Sequence, residues 1–261
     1  MTTLAAFWDR VTATGPVLAT WVVALTAAVA FVVVASHRVW HVSRNVVTLA
    51  HEGGHAVVSI ATGRRLDGIR LHSDTSGVTS SRGKSHGAGL VLTTAAGYVT
   101  PSLLGLGAAW LLAARHATFL LWLVLLLLAA AFVAIRNAYG FLAVLATALV
   151  VFLISRFASL RAQEVFAYLF AWFLLFGGIR PIFELQRRRR RDGGALTSRA
   201  RTPGARTSGA LASDADQLAL LTGVPGGAWV FGFAVVAFVA LIAGSLWLLP
   251  GLSHWLLAAR T

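Results

Sequence analysis

Long apolar runs separated by short polar, arginine-rich connections set the pattern of this chain. Read in windows of about 19 residues, hydropathy predicts seven helices, near residues 17–36, 45–62, 88–114, 117–134, 138–155, 161–180 and 228–249. The runs are rich in Leu, Ala, Val and Phe and lack the period-2 alternation of barrel strands. A bilayer offers no hydrogen-bond partners, so segments of this kind must satisfy their own backbone, which means helices. A span needs roughly 20 apolar residues as helix. The first run, Val17 to Ala35, exceeds the roughly 7–15-residue apolar stretch of a secretory signal and reads as a retained membrane helix. The fold class expected is all-α: a polytopic helical membrane protein of about six or seven transmembrane helices, forming a single membrane-embedded domain over residues 1–261.

Two of the predicted helices depart from plain hydrocarbon. The second contains His51, Glu52 and His55, and ionisable groups at that depth are costly enough to face the bundle interior. The third is interrupted by Gly97, Pro101, Gly105 and Gly107, which predicts a kink or a close helix contact. Between the sixth and seventh, residues 184–213 are rich in Arg, Gly, Ser and Thr, include the run Arg187 to Arg191 and show no hydrophobic period. They read as a disordered basic cytoplasmic loop.

Composition narrows the possibilities. With 57% hydrophobic and 12% charged residues, a soluble protein is not expected. The net charge of +13 comes from basic residues lying between apolar runs rather than on a patch interleaved with aromatics, so no nucleic-acid partner is expected. Placing the N-terminus in the cytoplasm puts Arg10, the 62–87 loop, Arg136 and the 180–210 segment inside, and leaves Arg38, Arg44, Arg115, Arg156, Arg161 and Arg260 outside. That asymmetry favours an N-in, multi-pass protein of the cytoplasmic membrane. The arginine run reads first as a stop-transfer cluster, and it can also bind anionic membrane lipids. Cysteine is absent, which excludes disulfides, thiolate metal sites and a cysteine nucleophile. Any metal must be held by histidines and carboxylates.

The second helix supplies such groups. Residues four apart stack on one helix face, so His51 and His55 can present two imidazoles to one ion while Glu52 flanks a water beside it. This HExxH spacing, His51-Glu52-Gly53-Gly54-His55, is that of zinc peptidases. Burying an acid at the centre of a membrane helix costs at least roughly 2.5–3.5 kcal/mol, and no cation on the central part of this helix offsets it. A bound Zn²⁺ would. Gly53 and Gly54 give up helix propensity, about 1 kcal/mol each against Ala, and permit close approach of a neighbouring helix or a substrate strand.

A catalytic zinc takes three protein ligands, and the chain has nine acids. Asp9 lies in the N-terminal tail, Asp67 among arginines, Glu184 and Asp192 beside the arginine run, and Glu52 is the expected general base. The metzincin extension fails, because Val58 and Ala61 stand where it requires Gly and His. Asp74 falls in the polar stretch Leu71 to Ser85 with no helix to fix it, and Glu164 opens the sixth helix near the opposite face. Asp214 and Asp216, ahead of the apolar stretch Leu218 to Val224, are the leading third ligands. Ser213 or Asp214 also reads as a helix N-cap.

The chain resembles the M50, or site-2-protease, class of intramembrane zinc metalloproteases, and more closely its bacterial M50B-like branch. The resemblance rests on Ala50-His51-Glu52-Gly53-Gly54-His55-Ala56, Gly68-Ile69-Arg70-Leu71 with Gly77-Val78-Thr79, Ala95-Ala96-Gly97-Tyr98 with Pro101, Arg136-Asn137-Ala138-Tyr139-Gly140, and Ser213-Asp214-Ala215 with Leu218-Ala219 and Thr222-Gly223-Val224-Pro225. It implies a Zn²⁺ peptidase that cleaves within or next to the transmembrane helix of another protein. His51, His55 and a later Asp would be ligands, and Glu52 the general base. By position in the branch's pattern Asp214 matches better than Asp216. A Leu-Asp-Gly element in a membrane helix, which supplies the third ligand in other members of the class, is absent.

The chemistry expected is metal-assisted hydrolysis of a transmembrane protein substrate, bound unwound, as a strand added against the Ile69 to Thr79 region. Asn137 is a candidate substrate-positioning residue that could bond the scissile backbone. The alternative is a catalytically silent metal-binding or scaffolding membrane protein. A divalent-cation transporter ranks below both, since the other membrane helices carry almost no acids.

Overall fold

The computed structural model of the chain describes residues 3–199 and 213–249. Each of the seven predicted helices has a counterpart, and together they make an all-α polytopic membrane fold. A short helix α1 (Thr3–Thr12) precedes α2 (Thr20–Ala35) and α3 (His37–Ala61). Two strands, β1 (Arg65–Leu71) and β2 (Gly77–Arg82), lead into α4 (Ala88–Ala113), α5 (Ala117–Ala134), α6 (Ala138–Phe157), α7 (Leu160–Arg199), α8 (Asp214–Thr222) and α9 (Gly226–Leu248).

Among the described residues, α4, α5, α6, α7 and α9 are long and apolar enough to cross a membrane. The pair α2 and α3 qualifies only together, bent by 101° at Ser36. Ser36 has extended dihedrals, φ −67° and ψ 123°, and the Val34 carbonyl that the break frees accepts from Arg180 on α7. An orphaned carbonyl at a helix end needs such a donor. Helix α3 begins at His37, well before the expected residue 45. Its first turns bury Trp40, whose indole donates to Glu184 of α7 at 3.1 Å, and Arg44 pairs with the same carboxylate at 3.4 Å.

Helix α4 is the centre of the bundle and packs on α3, α7 and α9. It runs unbroken through Pro101. Its small residues serve close contacts: a β-carbon on Gly105 would meet the Leu175 backbone of α7 at 2.9 Å. This is how membrane helices gain packing where lipid supplies no hydrophobic drive.

Two elements differ from the sequence expectation. The polar stretch Leu71 to Ser85 contains the turn and second strand of an antiparallel hairpin that begins at Arg65, in which Ile69 pairs with Thr79 and Leu71 with Gly77. Helix α7 does not stop near residue 180. It continues through Arg187–Arg191 to Arg199, where a disordered loop was expected. Residues 200–212 of that expected loop lie outside the described residues.

Candidate metal centre

Helix α3 places His51 and His55 one turn apart, their Nε2 atoms 3.1 Å from each other. Asp214 Oδ2 approaches from α8, 3.2 Å from His51 Nε2 and 3.3 Å from His55 Nε2. These three are the one group of His and acidic side chains among the described residues arranged to share an ion. Atoms 3.1–3.3 Å apart, each about 2.0–2.1 Å from a common centre, subtend roughly 100° there, close to the tetrahedral angle that zinc adopts. The donor set, two imidazoles and a carboxylate, is also one zinc uses, and it leaves a fourth position open.

The ring of His55 is fixed from behind. Its Nδ1 lies 2.7 Å from the Thr93 carbonyl of α4. Since a carbonyl only accepts, Nδ1 carries a hydrogen, and Nε2 is the ring atom that faces the cluster. Such a contact sets the tautomer and orientation of a metal-binding histidine. The ring of His51 stands edge-on to Tyr98, 4.7 Å between centroids. Burial alone would raise the Asp214 carboxyl, but hydrogen bonding and charge from the two imidazoles hold it well below the usual carboxylate range.

Asp214 can reach the pair because α8 is capped by its neighbours. Ser213 is the N-cap, with extended dihedrals. Its hydroxyl donates to Asp216 Oδ2 at 2.6 Å, and Asp216 is also paired with Arg189 of α7. The cap role therefore falls to Ser213, and Asp216 stands apart from the cluster.

Glu52 is 4% exposed and lines a cavity of about 230 Å³ together with His51, Thr48, Tyr98 and the turn residues Asp74 to Gly77. From β2, Thr79 Oγ1 lies 2.7 Å from Glu52 Oε2. Asp67, Glu184 and Asp74 have other partners. Asp67 accepts from Arg82 at 2.9 Å, and Glu184 holds Arg180 and Arg44. Asp74 accepts from the Ser76 amide and hydroxyl at 3.0 and 2.7 Å, bonds that lower its carboxyl from the ordinary value. Glu164 is buried against Gly15 at the far end of α7.

Asn137 is occupied by the protein itself. Its Nδ2 donates to the Leu71 carbonyl at 2.6 Å and its Oδ1 accepts from the Leu71 amide at 3.2 Å. The connection between α5 and α6 also bridges β1, through Ile135 opposite Ile69 and the Arg136 amide on the Ile69 carbonyl at 2.9 Å. One edge of the hairpin is thus covered by residues 135–137.

Two glycines shape the site without any signal of chemistry in the sequence. A β-carbon on Gly97 of α4 would come to 2.6 Å from His51 Nε2 and closer still to His55 Nε2. One on Gly77 would come to 2.6 Å from Glu52 Oε1. From the sequence Gly97 reads as a helix-packing residue and Gly77 as part of a loop pattern; what each one faces is set by the fold.

A family model described as Peptidase M50B-like matches residues 24–244. No curated protein and no solved structure matches the chain.

Proposed function

The chain belongs to the Peptidase M50B-like family, and from that premise we propose that it is an integral-membrane zinc metalloendopeptidase acting on peptide bonds within or next to transmembrane segments of other membrane proteins. The observation that carries this reading is the convergence of His51, His55 and Asp214 to within 3.1–3.3 Å, with Glu52 next to them on the wall of the same cavity. The four groups come from α3 and α8, far apart in sequence and brought to one point.

In this reading His51 and His55 through Nε2, and Asp214 through a carboxylate oxygen, hold the ion. A zinc ion there supplies Lewis acidity, which polarises a peptide carbonyl and makes water an effective nucleophile near neutral pH. Glu52 accepts the proton of the attacking water and delivers it to the leaving amine. Thr79 orients the Glu52 carboxylate, and Thr93 orients His55. The alternative Asp216 is committed to Arg189.

A helical substrate keeps its amides bonded internally and must unwind to be cut. The edge of β1 away from β2 is covered by residues 135–137, whereas β2 has no second strand partner among the described residues. Strand addition along β2, which passes Glu52 at Gly77 and Thr79, is the mode of capture we propose. Asn137 then acts on substrate indirectly, by holding Leu71 and the hairpin in place. We place the protein in the cytoplasmic membrane with the hairpin and the arginine run on the cytoplasmic side, as the positive-inside rule favours. Gly15, whose carbonyl accepts from Arg115, lies at the other end of the bundle, so this orientation puts the N-terminal segment outside, not inside as the sequence led one to expect.

The test is to purify the protein from membranes, measure zinc per chain and follow cleavage of a membrane-spanning reporter by wild type and Glu52→Ala. One zinc per chain, with cleavage present in wild type and lost in the variant, supports the reading. Zinc without cleavage in wild type points instead to a silent metal-binding protein, and wild type without zinc overturns the proposal.

A further inference from the structure

One member of the arginine run differs from its neighbours. On α7, Arg187, Arg188, Arg190 and Arg191 are exposed, while Arg189 is half-buried and turns toward the protein. Its guanidinium pairs with Asp216 and lies 3.5 Å from the hydroxyl of Ser213, the N-cap of α8. The same guanidinium covers Gly226, the first residue of α9, where a β-carbon would come to 2.8 Å from Cζ. A single side chain therefore touches the entry to α8 and the start of the helix that follows it.

Helix α8 has nine residues, too few to be stable without tertiary contacts. It is seated by Ala215 and Leu218, both fully buried, and by the contact with Arg189. Residues two apart on a helix point to different sides. Asp214 can therefore face the histidine pair while Asp216 is held from the other side. A ligand has to be kept within about 0.5 Å of its working position, so the contact that seats α8 sets whether Asp214 completes the site.

We propose that Arg189 is a positioning residue for Asp214: through Asp216 and Ser213 it seats α8 so that the Asp214 carboxylate reaches His51 and His55. The inference rests on the metal-site reading given above. The Arg189–Asp216 pair is partly exposed, and ion pairs that water reaches contribute little to global stability, so the expected signature lies in the geometry of the site and not in the melting temperature.

The chain has no cysteine, so Leu218→Cys introduces one thiol beneath α8 whose rate of maleimide labelling reports how well that helix is seated. In this background, Arg189→Gln and Asp216→Asn should speed labelling. In the otherwise unaltered chain each should weaken retention of Zn²⁺ against a chelator by on the order of tenfold to a hundredfold, the usual scale for groups that orient ligands. Arg189→Lys should recover part of the loss, and the exchanged pair Arg189→Asp with Asp216→Arg should recover more than either half alone. Arg190→Gln, an exposed neighbour in the same run, should change neither readout. Labelling and zinc retention in Arg189→Gln equal to wild type would overturn the proposal, as would an equal loss in Arg190→Gln. If wild type holds no zinc, the metal-site reading fails, and the labelling rates alone still decide whether Arg189 seats α8.

Discussion

Thr79 of β2 donates its hydroxyl hydrogen to Glu52 of α3, with Oγ1 2.7 Å from Oε2 and 3.0 Å from the Glu52 carbonyl oxygen. The hairpin is thereby joined to the proposed general base. A hydrogen bond to a charged group contributes about 1.5–3 kcal/mol. Thr79→Val keeps the shape and strand preference of the residue while removing the donor. The expected result is a kcat lower by about tenfold to a hundredfold, with zinc content unchanged. A kcat equal to wild type would mean that Glu52 is oriented by something else.

Gly97 of α4 meets both imidazoles. Gly97→Ala places a methyl group where the rings of His51 and His55 already stand, so the histidines must part. In a helix interior the change from Gly to Ala otherwise stabilises by about 0.8–1 kcal/mol. Fold stability and metal binding should therefore move apart: thermal melting no lower than wild type by more than a few degrees, and zinc retention against a chelator reduced by at least about tenfold. Retention equal to wild type would show that the rings have room.

How much of this was legible in the sequence differs from element to element, for physical reasons. The membrane helices α4, α5, α6 and α9 are continuous apolar runs, and hydropathy windows find such runs within a few residues. The start of α3 escaped because Arg38, His41 and Arg44 lower the window average. What keeps those residues helical is contact with α7, through Trp40 and Arg44 on Glu184. The hairpin escaped because its strands are short and polar, and it is held in place by Ile135, Asn137 and Glu52, all distant in sequence. His51 and His55 were legible because helical spacing alone puts them on one face. Asp214 and Asp216 could not be separated by spacing, since the partner that removes Asp216 is Arg189, one of five consecutive arginines.

Asn137 discriminates between two roles. Its amide group satisfies both backbone atoms of Leu71, and at about 0.5–1.5 kcal/mol per bond Asn137→Ala should lower stability by on the order of 1–3 kcal/mol. Asn137→Asp should do at least as much harm, since a carboxylate would face the Leu71 carbonyl. In both variants deuterium exchange over residues 69–71 should quicken. A variant that raises KM while exchange in β1 stays at the wild-type rate would show Asn137 touching substrate directly.

Gly77 offers the counterpart to Gly97, on the other side of the proposed chemistry. The β-carbon that Gly77→Ala introduces would sit 2.6 Å from Glu52 Oε1 and Cγ, so either the Glu52 side chain or the start of β2 must move. Neither movement touches the Nε2 atoms of His51 and His55 or the Asp214 carboxylate, which hold one another from α3 and α8. Gly77→Ala should therefore retain zinc like wild type and lose cleavage by at least about a hundredfold, the lower end of what a positioned acid–base group supplies. Paired with Gly97→Ala, it separates the metal from the base: one methyl group costs zinc binding, the other costs proton transfer. Loss of zinc in Gly77→Ala would mean that the hairpin and the histidine pair are mechanically coupled, and the separation of roles argued for Glu52 would fail.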